Sequence, residues 1–145
     1  MLSKDFREFL GLLNKYNVKY LVVGGYAVAF HGYPRYTRDI DIWVESSPVN
    51  AGNIMKVLDD FGFATLDIKA EDFLIPRRVI QLGYPPHRID LVTSLSDVEF
   101  KDCYNVKVTA QINGVTVNFI DLENLRRNKQ ASNRPQDIAD LEHLQ

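Results

Sequence analysis

The chain has 145 residues, 46% hydrophobic and 25% charged, with 11% aromatic, so it carries ample apolar surface to bury and is no disordered chain. No stretch approaches the roughly 20 apolar residues that a membrane span needs, charges are scattered through the first residues, and the lone Cys103 excludes both an internal disulfide and a multi-cysteine zinc site. A net charge of −2 and a pI near 5.9 show no basic excess of the kind that neutralises nucleic-acid phosphates, and a single cytoplasmic domain spanning residues 1–145 is the expectation.

Ser3 is placed to cap a helix whose Phe6, Phe9, Leu10 and Leu13 follow three- and four-residue spacing, ending near Asn17. Residues 20–23 are a continuous apolar run that meets Gly24-Gly25, which reads as a buried strand entering a tight turn. A short helix over 26–31 follows, closed by Gly32 and Pro34. In 39–44, Ile40, Ile42 and Val44 alternate with Asp39, Asp41 and Trp43, the period of a strand. Ser47-Pro48 starts a helix that Gly62 ends. Strands are expected at 79–82 and 88–92 around the turn Gly83-Tyr84-Pro85-Pro86. Two more, at 106–109 and 115–120, flank the hairpin signal Asn113-Gly114. Helices over 122–129 and 135–144 close the chain, with a break near Ser132-Asn133. Helices first and last with strands between them predict an α/β (α+β) fold on a mixed sheet of about five strands.

The chemistry gathers around 24–41. Residues two apart on a strand share a side, so Asp39 and Asp41 present two carboxylates together while Ile40 and Ile42 turn to the core. Like charges held that close repel unless a cation sits between them, and oxygen-only ligands suit Mg²⁺ or Mn²⁺. If the extended backbone begins earlier, Arg35 and Thr37 fall on the same side, where a guanidinium could fork phosphate oxygens. Gly24-Gly25 at a helix start would let phosphate approach backbone N–H groups. Asp90, between Ile89 and Leu91, supplies a third carboxylate; a pairing with Arg88 is the plainer reading of it. Lys129 shares a helix face with Leu122 and Leu125 and either reaches the cleft as a phosphate contact or snorkels to solvent. Trp43 has the parity of the aspartates, for stacking on a base or for core packing. His31, His87 and His143 make no zinc pattern, and Cys103 reads as a small buried residue.

A Gly-Gly turn, then Arg-x-Thr-x-Asp-h-Asp-h (h, hydrophobic), then a strand bearing a third Asp resembles the DNA polymerase beta-type nucleotidyltransferase superfamily. The tail Lys129, Arg134, Asp137, Asp140 is similar to its small bacterial and archaeal branch, which includes AbiEii-like toxins. The resemblance implies Asp39, Asp41 and Asp90 as catalytic metal ligands, with Asp90 activating a hydroxyl acceptor. It further implies NTP as substrate, Gly24, Gly25, Arg35, Thr37 and Lys129 as nucleotide contacts, and a place in a toxin–antitoxin or defence pair. Gly25 stands where many members have Ser, and a helical acceptor-binding second domain is not expected in this length. A partner protein supplying the acceptor site, or a non-catalytic nucleotide-binding or protein-interaction module, is therefore the rival expectation.

Overall fold

The computed structural model describes residues 2–34, 36–63, 67–84 and 87–144. Helix α1 (Lys4–Lys15) begins where Ser3 accepts a hydrogen bond from the Phe6 N–H, and its Phe6, Phe9, Leu10 and Leu13 are all buried. Strand β1 (Tyr20–Val23) runs directly into α2 (Gly24–Phe30). Then come β2 (Ile40–Val44) and α3 (Pro48–Phe61), which Ser47 caps and left-handed Gly62 ends. A 3₁₀ turn, Ala70–Leu74, precedes β3 (Val79–Leu82) and β4 (Ile89–Val92). Helix α4 (Phe100–Asn105), the hairpin β5 (Val108–Ile112) and β6 (Val115–Phe119), and helices α5 (Leu122–Ser132) and α6 (Pro135–His143) complete the chain.

The strands form one mixed sheet in the order β3-β4-β2-β1-β6-β5, six strands against about five expected. β2 pairs in parallel with β4, and β1 with β6; the other pairings are antiparallel. Register divides the two faces. Tyr20, Val22, Ile40, Ile42, Ile89 and Leu91 share one side, where the Tyr20 hydroxyl donates to Asn14 of α1 at 3.1 Å. Leu21, Val23, Asp41, Trp43 and Asp90 take the other, and Phe100 of α4 meets Trp43 edge-on there at 5.1 Å.

Three local expectations shift. The second helix starts at Gly24 rather than at Tyr26, so the glycines are its first turn. α4 carries only Phe100, Cys103 and Tyr104 as a face, too short a pattern to read as periodic; docking on Trp43 makes it a helix. Val106 is then its cap, and β5 begins at Val108. The hairpin stands as expected, with Asn113 and Gly114 both at positive φ (52° and 83°). Pro85 and Pro86 of the expected turn lie outside the described residues.

Candidate active site

Two parallel strands aim the carboxylates. Asp41 of β2 is the direct register partner of Asp90 of β4, so both side chains leave the same face about one strand spacing, ~4.8 Å, apart. Asp39 stands just before β2, and its Oδ1 accepts the Arg88 N–H at 3.0 Å, which ties the incoming loop to β4. Asp90 is buried.

Arg88 sits among them. Its Nε donates to Asp90 Oδ1 at 2.7 Å and its Nη2 to Oδ2 at 3.0 Å, a two-bonded fork, and Nη2 is 3.3 Å from Asp39 Oδ2. The plainer reading of Asp90, as the partner of Arg88, describes the structure; it leaves Asp90 within the carboxylate cluster. Arg88 precedes Asp90 by two residues, so strand alternation alone places both on one side.

Asp41 presses on the backbone at the start of α2. A Cβ at Gly24 would lie 2.3 Å from Asp41 Oδ2, and Gly24 has φ +64°. Only glycine accommodates both the contact and the dihedral. Burial, followed by the charge of Asp90 and, more weakly, Asp39, pushes the Asp41 carboxyl from 3.8 up to about 6. Lys129 and Arg134 pull in the opposite direction without cancelling the rise.

Lys129 is buried, at 4% exposure, so it does not snorkel. Its Nζ donates to Asp137 Oδ1 at 3.0 Å and lies 3.0 Å from Asp140 Oδ2, joining α5 to α6. Arg134 forks onto Asp137 as well, through Nε at 2.8 Å. The Lys129–Arg134–Asp137–Asp140 pattern of the tail is thus an ion cluster beside Asp41, in which Lys129, Asp137 and Asp140 are buried and Arg134 is exposed, with the ammonium already engaged by two carboxylates.

Thr37 lines a cavity next to Tyr26 of α2, and Arg35 lies outside the described residues. Trp43 is core, at 2% exposure, with its Nε1 lacking a hydrogen-bond partner among the described residues. The histidines have structural contacts: His31 meets the Ile120 carbonyl at 2.7 Å, His87 packs on Phe6, and His143 stacks on Tyr33. Cys103 is fully buried.

Among the described residues no three acidic or imidazole groups stand arranged to hold a metal ion as they are. The Arg88 guanidinium engages Asp39 and Asp90, so an ion would compete with it for the same oxygens. The donors nevertheless fit a hard divalent cation. They are carboxylate oxygens on adjacent strands, they already attract one cation, and the third of them, Asp41, is held in a site that disfavours its negative charge.

Among solved structures, the fold is similar to the lincosamide antibiotic adenylyltransferase LnuA with lincomycin bound: TM-score 0.65 at 17% identity, over 99% of this chain and 96% of that one. It is also similar to a candidate nucleotidyltransferase from Thermotoga maritima, with TM-score 0.64 at 17% identity, over 94% and 88% of the two chains. A third likeness is to ANT(2")-Ia in complex with adenylyl-2"-tobramycin, with TM-score 0.60 at 14% identity, over 96% and 84%. Such identities carry the fold alone. No curated protein matches the sequence. No helix among the described residues is long and apolar enough to cross a membrane. A family model described as nucleotidyltransferase of unknown function (DUF6036) matches residues 1–145, the whole chain. The chain therefore belongs to this nucleotidyltransferase family, whose class of activity is the transfer of a nucleotidyl group.

Proposed function

We propose that the chain moves an NMP group from an NTP to a hydroxyl acceptor, with Asp39, Asp41 and Asp90 as its catalytic and metal-holding carboxylates. The observation that carries this is the pairing of Asp41 with Asp90 across two parallel strands, with Asp39 bonded to the same β4 backbone. The adenylyltransferases among the structural relatives favour ATP as donor. A divalent ion held by these carboxylates, Mg²⁺ or Mn²⁺, would supply positive charge to the phosphate oxygens and ease loss of the acceptor proton.

In this reading the acceptor oxygen attacks the α-phosphorus in line and gives its proton to Asp90. The new O–P bond forms as the bond to the β-phosphate oxygen breaks, and pyrophosphate departs. Backbone N–H groups of Gly24 and Gly25 would meet the phosphates, with Thr37 and, from the sequence pattern, Arg35 as further contacts. Lys129 serves chiefly through its charge near Asp41, since a direct phosphate contact requires its release from Asp137 and Asp140. Arg88 must give up Asp39 and Asp90 for an ion to enter, which frees its guanidinium to meet phosphate oxygens. A protein partner, in a toxin–antitoxin or defence pair, would supply the acceptor surface that a helical second domain provides in larger members.

The test is direct. Purified chain is incubated with each α-labelled NTP, Mg²⁺ or Mn²⁺ and cell lysate. Label is expected on a lysate component with wild type and not with Asp90→Asn. Equal labelling by both would remove Asp90 from the chemistry, and no labelling by wild type would favour the non-catalytic module.

A further inference from the structure

The carboxylates belong to a row that crosses the sheet to its edge. Val23 is the register partner of Asp41, Asp41 of Asp90, and Asp90 of Gln81 on β3. Residues paired directly across antiparallel strands leave the same face, with Cβ atoms about 4.5–5.5 Å apart. The Gln81 carboxamide therefore stands on the carboxylate face beside Asp90, on the side away from Asp41. β3 is an edge strand, and Gln81 is exposed. The next row on this face is Trp43, Val92 and Val79, with Trp43 buried and Val79 exposed.

Neighbours close Asp90 on three sides. Asp41 flanks it from β2, and Arg88, two residues earlier on the same face, forks its carboxylate. Val92, two residues later, takes the third side along β4. The fourth side is Gln81, and among the described residues no strand lies beyond it. Gly24 sits at the opposite end of the row, against Asp41 Oδ2. In-line transfer puts the attacking oxygen and the departing pyrophosphate on opposite sides of the α-phosphorus. With phosphates at Gly24 and the acceptor proton bound for Asp90, the acceptor comes over the β3 edge. A carboxamide there donates and accepts hydrogen bonds without adding charge to a crowded anionic cluster. Val79 follows about 6.5–7 Å along the strand as an apolar ledge.

We propose that Gln81 is an acceptor-binding residue, its carboxamide bonding a second neutral polar group, a hydroxyl or an amide, beside the hydroxyl that attacks. Val79 packs against the body of the same acceptor. The assignment rests on the nucleotidyl-transfer reading given above. Gln81 takes no proton and holds no ion; it selects which hydroxyl is presented to Asp90.

The full chain is incubated with α-labelled ATP, Mg²⁺ and a dilution series of one cell lysate, and transferred label is followed against the amount of lysate. Gln81→Ala should raise the half-saturating amount about three- to tenfold, the size of one lost neutral hydrogen bond, with the maximal rate within about twofold of wild type. Its Mg-ATP affinity by calorimetry and its thermal midpoint should not move, because the side chain is exposed. Val79→Trp covers the same approach and should lower transfer at limiting lysate by about tenfold or more, again with Mg-ATP affinity intact. Thr109→Trp is the control: it lies on the same face at the opposite edge, on β5, and should transfer as wild type does. The assignment is overturned if Gln81→Ala reaches half-saturation at the wild-type amount of lysate, or if Val79→Trp transfers as well as wild type. It is also overturned if Thr109→Trp loses as much as Val79→Trp, or if Gln81→Ala weakens Mg-ATP, which would make the carboxamide a nucleotide contact. Transfer by wild type with an unmoved Gln81→Ala removes this assignment alone, whereas no transfer by wild type removes the nucleotidyl-transfer reading and the assignment with it.

Discussion

Asp41→Asn should make the metal-free protein more stable, although it alters a residue of the proposed catalytic site. The folded state raises the Asp41 carboxyl from 3.8 to about 6, by burial and by Asp90 and Asp39, a shift worth about 3 kcal/mol. The sign follows from proton counting. Between pH 4 and 6 the folded chain holds a proton that the unfolded chain has released, so this group's contribution to stability falls as pH rises. It is fully present below 3.8 and gone above about 6, where the half-buried carboxylate is charged. Asparagine has the shape without the charge. The variant should match wild type near pH 4 and exceed it by up to ~3 kcal/mol at pH 8. Urea unfolding in EDTA at pH 4, 5, 6 and 8, read as variant minus wild type, reports Asp41 together with its coupling to Asp90 and Asp39, because titrations away from the cluster cancel in the difference. Added Mn²⁺ should stabilise wild type and leave the variant nearly unmoved. A variant no more stable at pH 8, or a difference that does not vary with pH, would refute the electrostatic account of Asp41.

Gly24→Ala imposes a Cβ on Asp41 Oδ2 and a side chain on a left-handed dihedral; a loss of about 2 kcal/mol in thermal or urea unfolding is expected, together with a weaker Mn²⁺ response. Lys129→Met strands two buried carboxylates, Asp137 and Asp140, and should cost about 3–5 kcal/mol at pH 7 by urea unfolding. Because burial, which raises the Asp137 carboxyl, is outweighed by Arg134 and Lys129, which hold it below its usual range, the stability it contributes is present above pH 4 and lost as pH falls through the lowered value, so the deficit should shrink in acid. Asp90→Asn should retain Mg-ATP binding by calorimetry yet lower label transfer by about a hundredfold or more, the scale of a lost general base. Arg88→Gln should raise the Mn²⁺ affinity measured by titration, since it removes the cation that competes for Asp39 and Asp90.

Much of the site was legible because it is built on strand alternation. Asp39-Ile40-Asp41-Ile42 states its own two faces, and Arg88-Ile89-Asp90-Leu91 does the same. What could not be read was which strands become neighbours. The parallel pairing of β2 with β4 is a long-range choice made by packing, and only that pairing sets Asp41 beside Asp90. Arg88 was read as a partner for Asp90, and that pairing is present; its reach to Asp39 was not read, because parity says which side a group takes and not every partner it meets. Lys129 was read from its helix face, but its partners sit on the next helix, eight and eleven residues on, after a turn at Asn133. α4 was missed because six residues give too little periodicity, and its helicity depends on Phe100 finding Trp43.

The cluster's geometry therefore depends on the apolar side of the sheet as much as on its own residues. Ile40 and Ile42 pack in register with Ile89 and Leu91, and these four are buried on the face opposite the aspartates. A slip of one residue between β2 and β4 would turn two of them toward the carboxylate face and send Asp90 into the core. The register is consequently enforced by hydrophobic burial, which salt and metal do not screen, while the charges it brings together repel. Arg88 offsets part of that repulsion by bonding Asp39 and Asp90, and Asp41 answers it by holding a proton until about pH 6. A divalent cation would replace both devices at once. The strands would keep their register through the exchange, so the change on metal binding should be confined to side chains, above all the Arg88 guanidinium.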